Sequence, residues 1–91
     1  MKPIQVEHNP SEKRLVTEGV RQWPIWEKEA SEFPWHYDDT EMCYLLAGDV
    51  TVTPDGGEPV RFGQGDLVTF PAGMSCTWKV HRAVRKHYRF G

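Results

Sequence analysis

Long apolar runs are missing from this chain. No stretch approaches the roughly 20 residues that would span a bilayer, so no membrane partner is expected. Cysteine is scarce as well. Cys43 and Cys76 are too few and too far apart for a disulfide framework or a zinc knuckle, and free thiols are the expectation. The opening residues, Met1 to His8, lack the apolar core of a secretory leader, which makes the cytoplasm the expected location. A large excess of charge of one sign is also wanting. The net charge of −2 gives no general electrostatic reason for nucleic acid to bind. Helical periodicity is confined to one short segment, and there are no internal repeats or low-complexity tracts.

What is present is aromatic and turn-rich. Four Trp, four Phe and three Tyr supply large apolar areas, and seven Pro and eight Gly punctuate the chain. Residues 1–91 fit one domain. A chain of this size buries only roughly 60–65% of its unfolded surface, so its core is thin and a homodimer is expected.

In chain order, Pro3 to His8 reads as a strand with Ile4 and Val6 on one face. Ser11 is placed to cap a short helix that Glu12 opens and Gly19 closes. Beyond Val20 the pattern is extended: Trp23 to Trp26, then Glu32 to Tyr37, where Pro34 favours an edge strand. Glu41 to Ala47 and Asp49 to Thr53 read as strands on either side of Gly48, with Val50 and Val52 sharing a face. Pro54-Asp55-Gly56-Gly57 is a turn, with Asp-Gly as the expected positive-φ pair of a tight hairpin. Glu58 to Phe62, Leu67 to Phe70, Cys76 to Val80 and Val84 to Phe90 complete roughly nine or ten short strands, the pattern of an all-β sandwich or barrel.

The stretch Gly65-Asp66-Leu67-Val68-Thr69-Phe70-Pro71-Ala72-Gly73-Met74-Ser75-Cys76 is a turn, a strand, a tight turn and the start of another strand. It resembles the second signature of the cupin family. Gly65, Pro71 and Gly73 fall in register, and Cys76 stands where that signature has its histidine. Upstream, Glu41 and Gly48 keep the spacing of the glutamate and glycine of the first signature. Trp-Pro-Ile-Trp-Glu, Ser-Glu-Phe-Pro-Trp and the terminal Val-Arg-Lys-His-Tyr are similar to small single-domain cupins of the ureidoglycine aminohydrolase-like and ethanolamine-utilisation subgroup. The resemblance implies a single-domain cupin jelly-roll β-barrel with one short N-terminal helix, in a subgroup whose small members are largely of unassigned function.

The resemblance also places the family's metal-ligand positions on Trp35, Tyr37, Glu41 and Cys76, or, if the spacing shifts by one, with Pro34 and His36 in place of Trp35 and Tyr37. Two readings follow. Either these side chains line a pocket that holds no cofactor, or Glu41, Cys76 and one of Tyr37 and His36 form a weak divalent-metal site, better suited to zinc than to manganese or iron. No residue is assigned as a metal ligand. The four histidines, at 8, 36, 81 and 87, have no metal-motif spacing and are expected at the surface or a rim.

The last strand adds a separate clue. Val84, Lys86, Tyr88 and Phe90 share one face by the two-residue period, so an inward-facing apolar set carries Lys86 with it. A lysine is rarely buried unpaired, and Glu41 is the natural partner; the alternative is a lysine that reaches out to solvent. Catalytic roles fall to Glu41, Lys86, Tyr37 and Cys76, and substrate contacts to Trp35, Cys43, Trp78 and Tyr88. The partner is then a small molecule. The protein is either an enzyme of aminohydrolase or isomerase type working on a small polar metabolite, or a non-catalytic binding or sensing module. Six acids between Glu27 and Glu41, set against the basic run Arg82 to Arg89, imply complementary strands within the barrel or across a dimer.

Overall fold

The computed structural model describes residues 2–91. Strand β1 (Gln5–His8) leads into helix α1 (Glu12–Glu18) and a 3₁₀ turn, Val20–Gln22. Strands β2 (Ile25–Lys28), β3 (Ser31–His36), β4 (Glu41–Pro54), β5 (Val60–Gly63), β6 (Asp66–Phe70) and β7 (Ser75–Phe90) follow. Among the described residues, no helix is long and apolar enough to cross a membrane.

The helix forms where its caps put it. Ser11 has extended backbone and its Oγ accepts from Arg14 N at 3.2 Å. Gly19, at φ 70°, turns the chain left-handed and its N–H reaches back to the last-turn carbonyls.

Two long antiparallel strands organise everything else. β4 and β7 pair along their length, from Glu41 opposite Phe90 to Pro54 opposite Cys76. The first part of β4 also pairs with β6, and β6 with β1, while the end of β7 pairs with β2. The second part of β4 pairs with β5, and the start of β7 with β3. One ribbon thus carries two groups of strands, β1-β6-β4-β7-β2 and β5-β4-β7-β3. They face each other: Phe70 of β6 lies 5.8 Å from Phe62 of β5 and 5.7 Å from Trp78 of β7, ring centre to ring centre.

The strand count differs from the expected nine or ten. Among the described residues seven form, because β4 runs through Gly48 and β7 runs through Arg82 and Ala83. The ladder shifts register between Leu45 and Val50, so what reads as a break is a bulged bend. Across it the buried set of β4 moves from Glu41, Cys43 and Leu45 to Val50 and Val52, from odd to even positions. Gly48, at φ 121°, lies so close to β7 that a Cβ there would meet Val84 Cα at 2.8 Å. At the 54–57 turn only Gly56 has positive φ; Asp55 does not, and Gly57 N donates to Pro54 O at 2.9 Å. Pro34 sits on β3, which pairs only with β7, as an edge position requires.

The main core, between the two groups, includes Cys43, Leu45, Val50, Val52, Val68, Phe70, Trp78 and Val84. A smaller one, under α1, gathers Leu15, Val20, Trp23 and Leu67. The acidic and basic stretches meet within the chain, with Arg85 Nε 3.4 Å from Glu27 and Lys86 Nζ 2.7 Å from Glu41; Arg89 instead reaches Glu18 of α1, with Nη2 at 3.7 Å.

Candidate functional site

Where the β2 and β3 edges flank β7, the main core opens into a cavity of about 220 Å³. Its walls are Trp26 of β2, Phe33 and Trp35 of β3, Tyr37 beyond it, and Trp78, Tyr88 and Phe90 of β7. Lys86 and Glu41 are its charged lining residues.

Each wall follows from local sequence. Alternation along β3 puts Phe33 and Trp35 on the same side, with Tyr37 next in the series. Tyr37 is fixed by the Pro71–Gly73 turn: its N–H donates to Met74 O at 2.9 Å, and its carbonyl accepts from Gly73 N at 2.6 Å. Its ring stacks on Phe70 at 4.7 Å, and its hydroxyl accepts from Trp78 Nε1 at 3.0 Å. Phe33, opposite Trp78 in the β3–β7 ladder, lies nearly parallel to it at 6.2 Å. Trp26 meets the same indole edge-on at 6.1 Å.

Lys86 lies within this ring system and does not reach solvent. It is 5% exposed, Glu41 is 3% exposed, and Nζ lies 2.7 Å from Glu41 Oε2. The ammonium is also 4.7 Å from the Trp78 ring, 4.9 Å from Trp26 and 5.9 Å from Phe70, within cation–π range of all three. The partner read from strand alternation is the one it finds.

Six of the eight nominated residues meet at the cavity: Glu41, Lys86, Tyr37, Trp35, Trp78 and Tyr88. Cys43 and Cys76 do not line it. Both are buried in the main core, and Cys76, opposite Trp35 in the ladder, borders a shallow depression with His36 and Ser75. Burial pushes the Cys43 thiol up to about 12, opposed by nearby Lys86, and the Cys76 thiol up to about 11. Neither is poised as a nucleophile. Burial, then the Glu41 charge, also pushes the Tyr37 phenol well above its ordinary value, so it remains a neutral hydrogen-bonding group.

Trp26, Phe33 and Phe90 complete the lining without having been nominated. Phe90 shares the Lys86 face and Phe33 the Tyr37 face, so alternation held the signal for both; Trp26 had none. The histidine expectation needs one correction. His8, His36 and His81 are exposed, but His87 is buried, its Nδ1–H donating to Trp23 O at 2.9 Å, because α1 and the 3₁₀ turn cover that face of the sheet.

The residues present do not fit the metal that the cupin signatures imply. Glu41 is engaged by an ammonium, Tyr37 by an indole N–H, Cys76 faces the core, and His36 turns outward to Ser75 Oγ at 2.8 Å. Among the described residues, no group of three or more His, Cys, Asp and Glu is placed to hold a metal ion.

Comparison with known proteins agrees with this frame. Residues 15–88 match the family model of the EutQ-like cupin domain. The chain belongs to that family. This cupin is similar to the crystal structure of a DUF861 family protein from Thermotoga maritima, at 48% identity and TM-score 0.95, over 98% of this chain and 100% of the other. It is also similar to a putative ethanolamine utilization protein Q from Salmonella typhimurium, at 26% identity and TM-score 0.64, over 70% of this chain and 51% of that one. The Clostridium difficile EutQ protein matches at 25% identity and TM-score 0.64, again over 70% of this chain and 50% of that one. This cupin therefore spans about half the length of those two. No curated protein matches.

Proposed function

We propose that this cupin binds a small, partly apolar metabolite in the aromatic cavity and acts on it by proton transfer through Lys86 and Glu41, without the metal site usual in cupins. The observation that carries this reading is a buried ion pair facing a cavity. Such a pair adds little net stability, because desolvation offsets most of its attraction, and well-packed apolar residues would serve the core at least as well. Its chemistry is therefore the more economical reason for its presence. A 2.7 Å contact lets a proton pass between the two groups. The cavity, at about 220 Å³, lies below the roughly 300–1,000 Å³ of drug-sized sites, which limits the ligand to a small molecule.

A binding or sensing module is the second reading. It is favoured by the engagement of groups nominated to assist: the Tyr37 hydroxyl accepts from Trp78, and both thiols lie in the core. Saturation-transfer NMR with a panel of small alcohols, amines, carboxylates and ketones, run in D₂O, separates the two. The enzyme reading expects a bound ketone or carboxylate to exchange a C–H for deuterium, and Glu41→Gln to bind it without exchange. Binding without exchange in the wild type leaves the module. No binding across the panel ends both.

A further inference from the structure

We infer that Lys86 is an imine-forming lysine, and that the cavity takes small aldehydes or ketones as covalently held ligands. This deepens the pocket reading and rests on it.

The argument starts from what surrounds Nζ. Within reach are one carboxylate oxygen at 2.7 Å and three ring faces at 4.7 to 5.9 Å. A lysine at the surface is held protonated by water and is a poor nucleophile. Here Glu41 is the immediate base that can receive its proton, in a site that water scarcely enters. The remaining direction around Nζ is the cavity, where a carbonyl carbon would sit against Trp26, Phe33 and Tyr88.

The charge balance suits the product as well as the reactant. The ammonium gives a proton to Glu41, and the freed lone pair forms a bond to the carbonyl carbon while the C=O π pair moves to oxygen. Glu41 returns the proton to that oxygen and then takes a second proton from nitrogen. It passes this one to the hydroxyl, the C–O bond breaks, water leaves, and the nitrogen lone pair closes the C=N bond. One ammonium and one carbonyl give one iminium and one water, with no oxidant or reductant. The iminium keeps the positive charge, and with it the pairing with Glu41 and the attraction of the rings. What changes is that N–H groups are replaced by carbon substituents, which apolar walls accept without loss. Glu41 is left beside the α-carbon of the adduct, whose protons the iminium acidifies.

The test uses butanone and propanal with sodium cyanoborohydride, followed by peptide mass mapping of the intact folded protein. Lys86 is expected to carry the reduced adduct about tenfold faster or more than the exposed Lys13, Lys28 and Lys79, which have no buried carboxylate beside them to receive a proton. Glu41→Gln is expected to slow labelling of Lys86 about tenfold, and Lys86→Arg to abolish labelling in the pocket while keeping the native circular dichroism spectrum. The wild-type map stands even if a variant fails to fold. Saturation-transfer NMR with butanone and its alcohol, 2-butanol, separates the two levels of the argument. If both bind but Lys86 labels no faster than the surface lysines, the imine is overturned and the pocket stands. If neither binds and Lys86 is not labelled, both fall.

Discussion

Lys86 and His87 are neighbours in sequence and are buried on opposite faces of β7, yet they are accommodated by different means. Lys86 faces the main core, paired with the charged Glu41 and bordered by the cavity. His87 faces the small core under α1, and its ring N–H meets the Trp23 carbonyl. The histidine arrangement is a local hydrogen bond that closes a seam between the 3₁₀ turn and the sheet. The lysine arrangement sets two charges against each other where a few apolar side chains would fill the space. Burial of a polar group alone therefore does not mark a site; a charge retained beside an open volume marks a candidate.

The largest effect expected is from breaking the ionic side of this pair. Glu41→Leu leaves an uncompensated buried ammonium and is expected to cost about 3–5 kcal/mol, whereas Glu41→Leu with Lys86→Met should return to wild-type stability or exceed it. Urea denaturation of the singles and the double checks this; a double variant as unstable as the single would make the pair structural.

The thiols of the same core come next. Both are raised from an ordinary value of 9.0, so the unfolded chain releases these protons at lower pH than the folded one. Stability is then whole below pH 9 and falls as pH climbs toward about 11 for Cys76 and about 12 for Cys43. The slope is about 1.4 kcal/mol per pH unit for each thiol. Cys43→Ala with Cys76→Ala, followed by denaturation from pH 8 to 10.5, should flatten it.

On the other face, His87→Leu strands the Trp23 carbonyl and is expected to cost about 1–3 kcal/mol while leaving cavity binding unchanged. Loss of binding in that variant would dissolve the contrast between the faces. The smallest effect is Ser11→Ala, which removes the cap of the helix that roofs His87, at about 1 kcal/mol in thermal or urea unfolding.

Much of the frame was legible because it is local. Gly65 and Gly73 adopt positive φ of 88° and 84°, as a turn, a strand and a second turn demand, and Ser11 and Gly19 cap α1 as read. The Lys86–Glu41 pair was legible for a related reason, since alternation in β7 sends one charge inward and its partner must come from the other inward set. What escaped is set by pairing between distant strands. Trp26 joins the cavity because β2 docks on the end of β7, which nothing around Trp26 announces. Gly48 was read as a break between two strands; it is instead a close approach to Val84 within one bulged strand, a role that glycine serves as well as it serves a turn. Cys76 was assigned to the site from its signature position, but it is buried in the packed core. His87 was expected at the surface or a rim, but a short helix and a 3₁₀ turn give β7 a second buried face.

The β4–β7 ribbon has a consequence for the order in which this protein acquires its site. Glu41 lies opposite Phe90 and Leu45 opposite Lys86, so both members of the pair sit on the ladder that joins the beginning of one long strand to the end of the other. No hairpin or helix can assemble them early. Closing such a distant pairing is slow, because loop entropy is lost before any contact repays it. The cavity is therefore expected to appear only with the final zippering of the ribbon. Pulse-labelled hydrogen exchange checks this: amides of β6 should be protected no later than those of residues 84–90, and the reverse order would place the site in the folding nucleus. A ligand for this pocket would then meet the finished fold and act as a reporter of its completion.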